Sequence, residues 1–312
     1  MLARYLKAGQ AIQVLAAIVL ARALVLAGAP TWSAVLAGAL LPLAVQGVPL
    51  AIEFVTGALV DRRPVARIGF FRLVAIWWVE TWRSLVLFNV EQPWRAGFPE
   101  RPLVRDPARP AVLLVHGYMC NRAVWRYWLH RGMPAHWNVA TVNLEPVFGP
   151  VERYADVVRD AVERLRAATG ADRITLVCHS MGGLAARTYL RRHGHHGVQR
   201  VITIDTPHHG TLFATLGHGP NARQMRKACA FVTELARDDE PVDFVCFASQ
   251  HDNLIVPRDN QVLECAEAVW FEKIGHLAMT ANDKVLAKLS EVVERPEPQA
   301  ANTEPTEAVV QR

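Results

Sequence analysis

Cysteine is scarce in this chain, with five residues in 312, an odd number. Cys120, Cys178, Cys229, Cys246 and Cys265 lack the spacing of a disulfide framework, and two fall inside apolar runs that read as strands. They are expected to be buried free thiols, which suits a reducing compartment or a fold that needs no disulfides. Also missing is any dense basic run with interleaved aromatics. The net charge of +5 comes from arginines spread along the chain, so nucleic acid is not expected as a partner, and an anionic membrane surface fits better. Twelve histidines are present without His-x-x-x-His spacing, and the cysteines show no Cys-x-x-Cys, so no metal is expected.

Charge itself is absent from residues 33–52. About 20 apolar residues are needed to span a bilayer, so this segment qualifies, with Pro42 and Pro49 expected to kink it. Residues 11–29 are apolar except Gln13 and Arg22. Arg22 costs roughly 2.5–3.5 kcal/mol near the centre of a span, while the Leu, Ile and Val residues return about 3–5 kcal/mol. Gly28-Ala-Pro30-Thr31 reads as a turn, so residues 1–65 are expected to form a transmembrane helical hairpin. Two rivals stay open. Arg4, Lys7, the apolar stretch and Ala27-Gly28-Ala29 also match a signal peptide with its cleavage site, and the two helices could instead be a buried layer on the rest of the protein.

Arg4 and Lys7 precede the hairpin, Arg62, Arg63, Arg67 and Arg72 follow it, and the short connection has no charge. The positive-inside rule then puts both ends on the cytoplasmic face of the inner (cell) membrane. Residues 68–90 carry Phe70, Phe71, Trp77, Trp78, Trp82 and Phe88, with Arg72, Glu80 and Arg83 on one side of a helix. Two charges near the middle argue against spanning. The segment is expected either to lie at the interface or to pack on the domain that follows. Pro93, Pro99, Pro102, Pro107 and Pro110 mark a linker, so residues 66–110 connect the hairpin to a separable domain, and a chain starting near Pro93 should be soluble.

The densest chemistry lies in Ile174-Thr-Leu-Val-Cys-His-Ser180-Met-Gly-Gly183, an apolar strand that meets a serine and then helical spacing from Leu184. A nucleophile elbow needs a sharp strand-to-helix turn with small residues two places to each side. Gly182 meets that need and Cys178 does so in part. Upstream, the run Ala111–Val115 ends in His116-Gly117-Tyr118, whose Tyr118 N–H could join that of Met181 as an oxyanion hole. Downstream, the strand around 242–248 is followed by Asp252, and the strand around 268–273 by Gly275-His276. Ser180, Asp252 and His276 thus stand in the order of nucleophile, orienting acid and base. Asp205, which also ends a strand, competes with Asp252 for the acid's place. His116, His179 and His208 are expected to shape the substrate pocket, with His209 beside them, rather than to act as bases.

These residues together resemble the α/β-hydrolase superfamily, in its bacterial lipase and esterase branch. The resemblance covers roughly residues 110–293 and rests on His116-Gly117-Tyr118, His179-Ser180-Met181-Gly182-Gly183, Thr206-Pro207-His208-His209-Gly210-Thr211, Asp252 and Gly275-His276. Cys178, where the motif has glycine, departs from it. The resemblance implies a serine hydrolase for carboxylic esters, of lipid-like acyl character, that needs no cofactor. An acyltransferase or thioesterase would use the same three residues, and a non-catalytic membrane partner with this fold is the alternative of a different class.

The alternation within 111–294 fits that fold. Strands near 111–116, 138–143, 174–179, 200–205, 242–248 and 268–273 are interleaved with helices near 152–168, 184–190 and 279–293, which predicts an α/β, doubly wound, mostly parallel sheet. Residues 208–240 are too long for a plain loop and are expected to form a cap or lid. The tail 295–312 reads as disordered.

Overall fold

The uncharged run of residues 33–52 lies inside a 30-residue helix, α2 (Thr31–Val60), which stays helical through Pro42 and Pro49. The computed structural model describes residues 1–61, 68–195, 197–236 and 242–296. Helix α1 (Leu2–Leu26) precedes α2, and the two run side by side. Small residues permit this: a Cβ on Gly38 would sit 2.9 Å from the Ala17 carbonyl oxygen. Helix α3 (Phe70–Val86) packs on α2, where Trp77 Nε1 donates to the Gly47 carbonyl at 2.8 Å and Ser84 Oγ to Gln46 Oε1 at 2.8 Å. It continues through a wider π-helical turn, Leu87–Glu91, to Trp94.

All three helices are long and apolar enough to cross a membrane, and the third qualifies despite its two central charges. They present large apolar side chains outward, among them Ile12, Leu26, Trp32, Phe71 and Trp82. The polar side of α3 is its buried side. Glu80, Thr81, Arg83 and Ser84 face inward, and Arg83 pairs with Glu91 at 2.6 Å while donating to the Val124 carbonyl at 3.0 Å. Packing of α3 on the downstream domain, rather than a polar face turned to water, is therefore what its charges encode. Arg62, Arg63 and Arg67 of the basic cluster, and 297–312 of the tail, lie outside the described residues.

The downstream domain is built on six strands: β1 (Ala111–Val115), β2 (Asn138–Thr141), β3 (Ile174–His179), β4 (Val198–Ile204), β5 (Asp243–Ser249) and β6 (Glu267–Phe271). They form one sheet in the order β2-β1-β3-β4-β5-β6, every pair parallel. A parallel sheet must be covered on both faces, which is why β1 and β3 read as continuous apolar runs rather than alternating ones. Helices α4 (Val151–Thr169) and α5 (Met181–His193) cover one face with residues such as Val158, Leu165 and Leu184. Trp125, Trp128 and helix α6 (Asp283–Glu294), through Leu286 and Leu289, cover the other. The strand order reverses at β1, so the carboxyl ends of β1 and β3 flank a crevice of the kind where such sheets bind ligands. All five cysteines are free, but burial holds only for Cys120, Cys178 and Cys246; Cys229 is half-buried and Cys265 exposed.

Candidate active site

At the end of β3 the chain turns through Ser180 with φ 54° and ψ −127°. A non-glycine residue pays for a positive φ, on the order of 1–3 kcal/mol, and keeps it only where the surroundings enforce it. Here the Ser180 N–H donates to the Ile204 carbonyl at 2.8 Å, and the Ser180 carbonyl accepts from Thr206 Oγ1 at 2.9 Å and from the Gly183 N–H at 3.0 Å. The turn is so tight that a Cβ on Gly182 would lie 2.6 Å from the Val115 carbonyl oxygen, and one on Gly183 would overlap Thr206 Oγ1. These contacts are why small residues follow the serine. Met119 (φ 54°) and Asp205 (φ 49°) are strained in the same way and end strands beside it.

His276 follows β6, and its Nδ1 lies 2.8 Å from Asp252 Oδ2. Asp205 Oδ2 is farther from the same nitrogen, at 3.9 Å. Asp252 is fully buried, and its Oδ1 accepts the N–H groups of Leu254 (2.6 Å) and Ile255 (2.7 Å). Burial alone would raise its pKa, but His276 and those two N–H groups outweigh burial and hold it below the usual carboxylate range. Asp205 goes the other way: burial first, then the neighbouring Asp252 charge, push it well above that range. Burial would lower His276, yet the Asp252 charge and hydrogen bond raise it above the ordinary histidine value. With Nδ1–H given to Asp252, Nε2 is left as an acceptor.

Ligand atoms of Asp205, Asp252 and His276 all lie within 4.8 Å of one another, a spacing a metal ion could bridge. The donor set suits one poorly, because the Asp252 oxygens are committed to His276 Nδ1 and two backbone N–H groups and Asp205 Oδ1 accepts the Ser249 N–H.

Ser180 and His276 line one cavity of about 330 Å³, with Tyr118, His179 and Asn253. The N–H of Met181 is the first of α5 and has no intrahelical partner. His179 lines the cavity. Its Nε2 lies 3.2 Å from the His276 carbonyl oxygen, and its ring packs against that of His276 with centroids 4.7 Å apart. Burial, then the His276 charge, hold it neutral. His116 and His208 are placed elsewhere. His116 donates from Nδ1 to the Gly117 carbonyl and accepts the Leu144 N–H at Nε2, and burial pushes its pKa down to about 4. His208 is buried between Arg187 and Thr203 Oγ1. His116 braces backbone and His208 holds neighbouring side chains; neither is among the residues that line the cavity.

The cavity roof comes from the N-terminal helices. Val45, Pro49, Leu50 and Glu53 of α2, with Glu80 and Phe88, complete the lining. Of the expected lid, residues 208–236 carry short helices at Gly219–Gln224 and Ala230–Leu235 and touch the site through the His218 backbone, which exchanges hydrogen bonds with the Tyr118 hydroxyl at 2.9 Å, while 237–240 lie outside the described residues. Glu53 and Glu80 were missed from sequence. Their signal was present, since a lone acid in an apolar helix marks a functional position by default.

Residues 110–220 match the family described as alpha/beta hydrolase fold. Among solved structures, the mature lipase BlEst2 of Bacillus licheniformis superposes with a TM-score of 0.53 at 18% identity, over 63% of this chain and 96% of that one. Lipase B of Aspergillus fumigatus gives 0.57 at 17% identity, over 64% of this chain and 56% of the fungal one, so this chain spans little more than half that lipase. The chain has the α/β-hydrolase fold: a parallel six-stranded sheet between helical layers, with three apolar helices added at the N-terminus.

Proposed function

We propose that this protein is a membrane-anchored serine hydrolase acting on carboxylic esters of lipid-like acyl character. The observation that carries the reading is the Asp252–His276 hydrogen bond of 2.8 Å beside the cavity into which the strained elbow presents Ser180. In the proposed reaction Ser180 Oγ attacks the ester carbonyl while His276 Nε2 takes its proton. The tetrahedral intermediate places its oxyanion against the N–H groups of Tyr118 and Met181. His276 then returns the proton to the leaving alcohol, and water repeats the sequence to release the acid. Asp252 fixes the tautomer and stabilises the charged imidazole. The scheme balances without a cofactor.

The acyl character is supported by the apolar roof of Val45, Pro49, Leu50 and Phe88. Anchoring is supported by the outward apolar side chains of the three helices, a surface much larger than soluble monomers expose. Arg4 and Lys7 at one end and Arg72 at the other favour a cytoplasmic catalytic domain in the inner membrane. A fluorophosphonate probe, followed by peptide mapping, tests the chemistry. An adduct on Ser180 is expected, and an adduct elsewhere, or none on folded protein, would end this reading.

A further inference from the structure

Polar contacts from three carboxylates, Glu80, Glu53 and Asp61, cross from the N-terminal helices to the loops that carry Asp252 and His276. Glu80 accepts the N–H groups of Leu277 on Oε1 (2.6 Å) and Ala278 on Oε2 (2.9 Å), the two residues directly after His276. The loop comes as near as a glycine allows, because a Cβ on Gly275 would lie 2.5 Å from Glu80 Oε2. Glu53 accepts from Asn253 Nδ2 at 2.6 Å, and Asn253 Oδ1 accepts the N–H of His276 itself at 3.1 Å. At the end of α2, Arg258 lies 3.3 Å from Asp61 and donates from Nε to the Asp252 carbonyl at 2.9 Å.

A buried carboxylate is unfavourable unless hydrogen bonds compensate it, and simple packing of an apolar helix has no use for one. Glu80 bonds the backbone just after His276 directly, and Glu53 reaches the His276 N–H through the side chain of Asn253. We propose that Glu80 and, through Asn253, Glu53 are positioning residues for His276, so that the N-terminal helices complete the active site as well as anchoring it. The inference rests on His276 being the base of the reaction above. A base must lie within hydrogen-bond reach of the hydroxyl it deprotonates, and a displacement of about 1 Å can cost on the order of 100-fold in rate.

The test uses the full chain in detergent micelles and steady-state hydrolysis of p-nitrophenyl butyrate. Glu80→Gln nearly keeps the shape but offers one acceptor where two N–H groups need partners. Its kcat should fall about 10- to 100-fold with KM within about twofold, at an unfolding temperature that shows the fold intact. Glu80→Asp, which keeps both oxygens, should recover part of the loss. A folded Glu80→Gln with kcat within about twofold of the parent, or with only KM changed, overturns the proposal. If Glu80→Gln does not fold, Glu53→Leu decides: a lower kcat supports positioning, and an unchanged kcat refutes it. Fluorophosphonate labelling of the parent separates the two readings. No adduct on Ser180 removes the hydrolase reading, whereas an adduct with unchanged variant kcat removes only the positioning role.

Discussion

Ser180 owes its conformation to neighbours that leave no room for anything else. The carbonyls of Val115 and His116 press on Gly182, so Gly182→Ala should destabilise the fold by about 1–3 kcal/mol and reduce activity, read by thermal unfolding beside ester hydrolysis. The two aspartates divide one job. Asp252 is bonded to His276, and Asp205 is more distant and pushed to a higher pKa by burial and the Asp252 charge, so their variants should separate. Asp252→Asn should lower kcat by about 10⁴ by favouring the wrong tautomer, whereas Asp205→Asn should cost far less. The sign of the pH effect follows from the same contact. In the proposed reaction His276 works unprotonated, and its pKa is raised by Asp252 against burial. In the parent, kcat/KM should therefore fall as pH drops through a value above that of a free histidine. Asp252→Asn removes the raising charge and should move this limb to lower pH, and Asp205→Asn should leave it in place. A limb that stays put in Asp252→Asn would contradict the assignment.

At the level of elements, all six strands were legible, β1 and β3 as buried apolar runs, whereas the edge strands β2 and β6 are only partly buried and carry shorter apolar stretches beside polar residues. Helices α4 and α6 were legible from their periodicity. The contest between Asp252 and Asp205 was not, since both end strands and only distances of 2.8 and 3.9 Å separate them. The orientation of α3 was hidden as well. Its tryptophans and charges fitted both an interfacial helix and one packed on the domain, and the charges are what docks it, because Arg83 bonds the Val124 carbonyl and Glu80 the Leu277 N–H across the interface. Docking also depends on Gly47, where a Cβ would lie 3.1 Å from the Trp77 ring. Gly47→Leu should push α3 from α2, lowering thermal stability and activity together.

The whole molecule joins an apolar three-helix layer to a hydrolase-fold domain through the shared walls of the candidate cavity. Separability near Pro93, expected from the proline-rich linker, conflicts with this arrangement. Cutting there removes Glu53, Glu80 and the roof, and uncovers Leu87's buried partners on the sheet's second face. A chain starting at Pro93 should be poorly soluble and nearly inactive even on short esters, measured as soluble yield and hydrolysis rate. The full chain should resist carbonate extraction from membranes, and a C-terminal alkaline phosphatase fusion should be inactive if the catalytic domain faces the cytoplasm. The central claim, that this fold carries out ester hydrolysis through Ser180, is tested most directly by hydrolysis of a p-nitrophenyl ester by Ser180→Ala. Loss of several orders of magnitude in kcat, leaving only what binding and the oxyanion hole supply, is the predicted result. A folded Ser180→Ala protein that retains parental activity would contradict it.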